Sequence, residues 1–293
     1  MESMPEELPE ELPDELRDEL PDGLPGDPVG TQDPHVVASA AVTNLRDVGG
    51  RPTSDGGTVA RGVAYRSAEL GSAAVEDDPS LAALGIRTVV DLRTAGERAA
   101  RPDHVPAGAV PLVLDVLADL PAAAATQAAQ LVSAPAGLAG SLAGLDVAEQ
   151  MRATYRQLVV GGAAREAYAA FVRTVLDPDR VPVLFHCTAG KDRTGWAATV
   201  LLLAAGVDED GATEEFLAVN PAVRAVFAPL LAQLDDAGDD SSVLVPFLEV
   251  RADYLRAALD QMRATYGSFD GYLRDGLGLS PLEIEGLRRT LRG

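Results

Sequence analysis

The chain contains a single cysteine, a single lysine and three histidines in 293 residues. The cysteine, the lysine and one histidine fall together in His186-Cys187-Thr188-Ala189-Gly190-Lys191-Asp192-Arg193-Thr194-Gly195. The apolar run VPVLFH (181–186) before this segment reads as a buried central strand, and WAATVLLLAAGV after it as a buried helix. A loop at such a junction can curl the backbone N–H groups of Thr188 through Arg193 around a point above the Cys187 sulfur. The positive end of the following helix is directed at the same point, which makes an oxyanion site. That field favours the nucleophilic thiolate form of a cysteine. Arg193, six positions on, can fold over the loop and grip two oxygens of a tetrahedral anion. Thr194 can hydrogen-bond the sulfur and hold it anionic after the leaving group departs. Together these parts suit attack on a phosphate ester through a cysteinyl-phosphate, with no cofactor required.

Other readings of the same residues are weaker. A lone cysteine closing a strand is often inert packing, His186 alone could be a satisfied core histidine, and a bare C-x5-R is weak in an arginine-rich chain. The Gly-Lys-Asp between them and the Thr-Gly after them make the catalytic reading stronger. A Walker A loop needs G-x4-G-K-[ST], whereas Asp192 follows Lys191 and the first glycine is missing. One cysteine and three histidines supply few zinc ligands. A rhodanese-type sulfurtransferase usually has a shorter cysteine loop without Thr-Gly after the arginine.

The surrounding chain alternates strands with helices. RGVAYRS (61–67), RTVVDLR (87–93) and AGAVPLVLD (107–115) read as strands, with LAALGI and its glycine stop between the first two. Residues 121–144, rich in Ala, Gly and Ser, predict a weak helix or an insertion. Helical spacing covers 146–159, 164–176, TEEFLAV, 222–234 and a long amphipathic stretch at 247–267. Ser280 and Glu283 have the spacing of a capping box that opens a last helix. The expected fold is α/β, a mostly parallel sheet flanked by helices.

Expelling an alkoxide or phenolate needs a proton donor. Asp115 ends the third strand, near the mouth of an α/β site; Asp192 lies in the loop; Asp119 is a third possibility. Asn44, Arg46, Asp47 and Arg66 read as buttresses before substrate contacts, and Asp91-Leu92-Arg93 as scaffold.

Charge confines the function further. Forty-five acidic residues face 24 basic ones, a net charge of −21, which argues against general nucleic-acid or anionic-membrane binding. Residues 1–34 hold twelve acidic residues against Arg17 alone, with recurrent proline. This predicts an extended, disordered acidic tail preceding one domain over 35–293. The tail is either a solubilising segment or a dock for a basic partner. No disulfide can form within the chain, no apolar run near the loop is long enough to span a bilayer, and the opening MESMPEELPE lacks a signal-peptide pattern. A cytoplasmic location is expected, with signal-less export as the alternative.

HCTAGKDRTG resembles the signature H-C-x-x-G-K-D-R-T-G of the bacterial tyrosine-phosphatase family typified by mycobacterial PtpB. TNLRDVGG (43–50), YRSAEL (65–70), TVVDLRTAGERA (88–99), YRQL (155–158) and 251–280 resemble segments of that family in the same order. The resemblance implies the cysteine-phosphatase fold with a helical lid, matched here by about 221–245, and hydrolysis of phosphotyrosine. It implies Cys187 as nucleophile and Arg193 as phosphate clamp. It also implies Lys191 and Asp192 as auxiliary residues associated with wider activity on phosphoserine, phosphothreonine and phosphoinositides. Asp115 resembles, by position, the acid on the family's corresponding loop.

Overall fold

A computed structural model describes residues 33–119, 146–236 and 244–292. Its sheet has five short strands: β1 (Arg46–Asp47), β2 (Ala64–Ser67), β3 (Thr88–Asp91), β4 (Val110–Val113) and β5 (Val183–His186). Their order is β1-β2-β5-β3-β4. β5 runs parallel to both β2 and β3, so that Phe185 lies opposite Arg66 on one side and Val90 on the other. β4 continues the parallel set beyond β3, and only β1 is antiparallel, on β2. Every residue of β2, β3 and β5 is buried, the burial on both faces that a continuous apolar run signals.

Ten helices are used below: α1 (Pro79–Leu84), α2 (Ala95–Ala100), α3 (Val147–Val160), α4 (Gly162–Leu176), α5 (Asp192–Ala205), α6 (Glu209–Leu217), α7 (Asn220–Asp236), α8 (Val245–Leu248), α9 (Ala252–Tyr266) and α10 (Pro281–Arg292). Local chemistry fixes their ends. Asp78 accepts the N–H groups of Ser80 and Leu81 to open α1, and Gly85, at φ 62°, closes it. Thr94 and Glu97 form a reciprocal capping box at the start of α2. α5 leaves β5 through the Cys187 loop and is buried along nearly its whole length. Its Trp196 donates the indole N–H to the Tyr272 hydroxyl at 3.1 Å, and beside it Phe171 of α4 packs, tilted, against Phe185 of β5 with centroids 4.8 Å apart.

Three sequence expectations change in detail. The strands are shorter than the apolar runs that flagged them. Residues 247–267 do not form one helix: α8 ends at Leu248, and Glu249 is extended before α9 begins at Ala252. The cause is a long-range contact. The buried Asn220 side chain accepts from the Val250 N–H and donates to the Val250 carbonyl, both at 2.9 Å. Both main-chain groups that a continuous helix would use are thereby taken. The segment 221–245 expected as a lid is occupied by α7 up to Asp236, with 237–243 outside the described residues, as is the region 121–144.

The capping box at α10 is made as expected. Glu283 accepts from the Ser280 N–H at 2.7 Å and from the Ser280 hydroxyl at 2.8 Å, and Arg173 of α4 binds its other oxygen at 2.7 Å. The Ser280 main-chain bond, the Arg173 bond and the Ser280 hydroxyl together hold its carboxyl at about 2, below its ordinary 4.5. A depressed carboxylate pKa stabilises the fold above the unfolded value and loses that effect as pH falls toward the folded one. Glu283→Gln should therefore cost about 1 kcal/mol at pH 7. In urea denaturation the gap to the parent protein should narrow as pH falls from 4.5 toward 2; a constant gap would contradict this.

Candidate active site

The loop after β5 is built by close approach. Gly190 has φ 68°, and a Cβ there would lie 2.2 Å from the Ser67 carbonyl oxygen at the end of β2, so only glycine fits. Every loop carbonyl that is bonded turns outward. Thr188 O accepts from Glu69 N at 3.0 Å. Asn44 Nδ2 donates to the carbonyls of Ala189 and Gly190 at 3.2 and 3.3 Å. Arg66 Nη2 donates to Gly190 O at 2.6 Å and reaches Lys191 O at 3.5 Å. In a trans peptide the N–H points opposite to the C=O, so the amides from Ala189 to Asp192 face the other way. Among the described residues none of them donates to a protein acceptor outside the helices and strands. α5 starts at Asp192 without a side-chain cap, and its free N-terminal amides join the same ring. Cys187 lies at the strand end, 2% exposed.

Arg66 is the buttress the sequence suggested. It is fully buried, and its Nη1 donates to both oxygens of Glu215 on α6 at 2.8 Å. Gly195 allows that packing, since a Cβ there would press 2.8 Å from the Phe216 ring. Asn44 takes the left-handed conformation, φ 55°, that places its amide on the loop.

Arg193 is gripped from behind. Its Nη1 and Nη2 donate to the two oxygens of Glu97, each at 2.7 Å. Thr188 adds its hydroxyl to the same carboxylate at 2.5 Å. Burial would raise the Glu97 pKa, but the Arg193 bond and charge and the Thr188 bond outweigh it and hold the carboxyl far below the usual range. Burial likewise opposes the Arg193 charge, and Glu97 and Cys187 more than restore it. Thr194 differs from expectation. Its hydroxyl is buried and has no hydrogen-bond partner among the described residues, the sulfur included.

The remaining charged candidates separate by what they touch. Asp192 accepts from the Tyr155 hydroxyl at 2.7 Å and lies 3.5 Å from Lys191 Nζ. Burial first, then Asp192, pushes the Tyr155 phenol well above its ordinary value, so it remains a donor. Lys191, largely buried, donates to the Phe247 carbonyl at the end of α8. Asp115 accepts main-chain N–H groups with both oxygens, from Ala95 at 3.2 Å and Leu117 at 3.0 Å. Asp119 binds the Ala163 N–H at the start of α4. A cleft of about 650 Å³ opens beside the loop, bounded by Asn44, Glu69, Arg101, Thr188 and Ala189 on one side and by Phe227 of α7 on the other.

Among the described residues, Asp91, Asp103 and His186 are the one group of acidic and histidine ligands close enough together to hold a metal. A guanidinium already lies there: Arg93 Nη2 is 2.9 Å from Asp91 and 2.7 Å from Asp103. The scaffold role expected for Asp91-Leu92-Arg93 fits this arrangement. Glu97, Glu215, Tyr155 and Asp103 escaped the sequence reading. Only Glu97 carried a local signal, the T-x-x-E spacing from Thr94.

A model of the tyrosine phosphatase family matches residues 37–293. The chain is 34% identical to a Cupriavidus necator protein with a provisional tyrosine-protein phosphatase name, over 87% of this chain and 89% of that protein. It is also 34% identical to the triple specificity protein phosphatase PtpB of Mycobacterium tuberculosis, over 85% and 96% of the two chains. A tyrosine-protein phosphatase of Nostoc commune is 31% identical over 77% and 73%.

The Arg66–Glu215 pair makes a stability prediction. Arg66→Met strands a buried carboxylate and should cost about 3–5 kcal/mol in urea denaturation, whereas Arg66→Met with Glu215→Leu should recover a large part of that. A double variant as unstable as the sum of the two single variants would contradict the ion-pair account.

Proposed function

As the chain belongs to the tyrosine phosphatase family, a hydrolase class, we propose that it cleaves phosphate monoesters through a cysteinyl-phosphate on Cys187, and phosphotyrosine first among them. The observation that carries this reading is the ring of amides at residues 189–192, set between Cys187 and the start of α5, none of which, among the described residues, donates to a main-chain acceptor outside the helices and strands. Those amides, with Thr188, Ala189 and Gly190 forming one wall and Arg193 on its Glu97 bracket, receive the three non-bridging oxygens of the phosphoryl group. The Cys187 sulfur attacks phosphorus; the S–P bond forms as the P–O bond to the leaving group breaks. The departing oxygen takes a proton from a carboxylic acid. Water, giving a proton back to that carboxylate, then attacks phosphorus; the S–P bond breaks, inorganic phosphate leaves and the thiolate returns, with Thr194 turning its hydroxyl to the sulfur. No step draws on a metal.

Asp192 is proposed as the acid because it stands in the loop itself, held by Tyr155 and Lys191; Asp115, whose oxygens accept main-chain N–H groups outside the loop, is the other candidate. The wider activity toward phosphoserine, phosphothreonine and phosphoinositides is proposed on Lys191 and Asp192 and on the triple specificity for which the mycobacterial relative is named. Among the described residues no helix is long and apolar enough to cross a membrane. Residues 1–34 are proposed as an acidic tail outside a single phosphatase domain, open to a basic partner. The alternative is a phospho-ligand-binding module without turnover.

Two measurements test this. p-Nitrophenyl phosphate should be hydrolysed undiminished in EDTA, and Cys187→Ser should lose about 10³-fold or more in kcat while still binding a phosphotyrosine peptide. Full activity in that variant would refute the mechanism; binding without turnover in the parent chain would select the alternative. Asp192→Asn should slow alkyl phosphates at least about tenfold more than p-nitrophenyl phosphate, whose leaving group needs little protonation. The same signature in Asp115→Asn instead would move the acid to that residue.

A further inference from the structure

The 650 Å³ cleft flanks the amide ring without containing it. Its walls include Thr188 and Ala189 of the loop but neither Cys187 nor Arg193, so it can hold the part of a substrate next to the phosphoryl group. The wall supplied by α7 is apolar, with Ala222, Val223 and Phe227. Among the described residues that line the cleft, the one cation is Arg101 and the one anion Glu69. Arg101 is fixed by main chain and side chain together. It directly follows α2, one turn after Glu97, whose carbonyl accepts the Arg101 N–H at 3.0 Å. Its own carbonyl accepts from Nη1 of the buried Arg93 at 2.9 Å. Its stem runs past Gly71, where an added Cβ would lie 3.9 Å from the Arg101 Cδ, and its Nη1 donates to Glu69. Glu97 also brackets Arg193, so one short helix sets the spacing between the loop arginine and this second cation.

Stability does not account for the Arg101 charge. Glu69 already pairs with Arg93 at 3.1 Å on its inner side, and the Arg101 side chain is 66% exposed, a setting in which an ion pair contributes little. Among the described residues the Nε and Nη2 of Arg101 have no hydrogen-bond partner. The guanidinium is held at one edge and open at the other, the form in which arginine takes a carboxylate through two parallel N–H donors. A single cation facing an apolar wall suits one carboxylate on an aliphatic stem. A headgroup with further phosphates would need several such donors.

We propose that Arg101 is a specificity-determining residue, which selects phosphotyrosine peptides carrying an acidic residue beside the phosphotyrosine by binding that residue's carboxylate in the cleft. The proposal deepens the phosphatase reading and rests on it. It runs against the charge of the whole chain, −21, which repels acidic peptides at long range. That repulsion fades over about 8 Å at physiological salt, whereas a fixed cation in contact keeps its effect.

The test gives the full chain pairs of phosphotyrosine peptides that differ only by Glu or Gln, at each neighbouring position in turn, at about 0.15 M salt. In the parent chain Glu should raise kcat/KM about threefold at one position or more, through KM with kcat held. Arg101→Gln should bring that ratio close to one, and Arg101→Lys should keep part of it. Each ratio is taken within one protein, so partial unfolding of a variant does not move it. p-Nitrophenyl phosphate has no flanking residue, and its hydrolysis by the parent chain reports the phosphatase reading by itself. A parent chain that hydrolyses it yet treats the Glu and Gln peptides alike would overturn the proposal. An Arg101→Gln variant that keeps the full peptide preference would do the same, including one whose change is confined to a bisphosphorylated inositol headgroup.

Discussion

The Arg66 guanidinium reaches across from β2 to the carbonyls of Gly190 and Lys191, and the site depends on that reach. A carbonyl held outward turns the next amide inward, so one buried cation sets the direction of several loop dipoles at once. Asn44 repeats the action on Ala189 and Gly190 from the other side, and Glu69 draws out the Thr188 carbonyl with its own N–H. The loop is thus shaped from outside, and among the described residues its amides from Ala189 to Asp192 meet no main-chain acceptor outside the helices and strands. Preorganised dipoles of this kind need no rearrangement when an anion arrives.

Holding Arg66 in the core requires a counter-charge, and Glu215 supplies it from α6. The same pattern recurs at Arg193 with Glu97 and at Arg93 with Asp91, Asp103 and Glu69. Breaking such a pair is expensive because it strands a buried charge, so each one fixes a geometry as well as a charge. Glu97 does so most directly. It closes the capping box of α2 and braces the Arg193 guanidinium, tying the helix after β3 to the loop after β5.

Much of this was legible in the sequence because its causes are local. VPVLFH marked β5, the ten residues after it marked the loop, and Ser280 with Glu283 marked the start of α10. Arg66 and Asn44 were read as buttresses from their place after a strand and beside a glycine turn. What was not legible rests on contacts between distant segments. Nothing near Val250 announces that Asn220 will interrupt a helix there. Nothing around Glu215 or Asp103 shows that they face Arg66 and His186. Asp115 is read as a candidate acid because it ends a strand; that its oxygens accept the N–H groups of Ala95 on α2 and of Leu117 depends on how the chain turns after β4.

The central claim is that Cys187 itself carries the phosphoryl group during turnover, and rapid acid quenching tests it most directly. The chain is mixed with a phosphotyrosine peptide, stopped within milliseconds, digested and weighed by mass spectrometry. The account predicts a transient gain of one phosphoryl group on the peptide containing Cys187, and none there in Cys187→Ser. Phosphate release with no such adduct at any quench time, or an adduct on another residue, would contradict it.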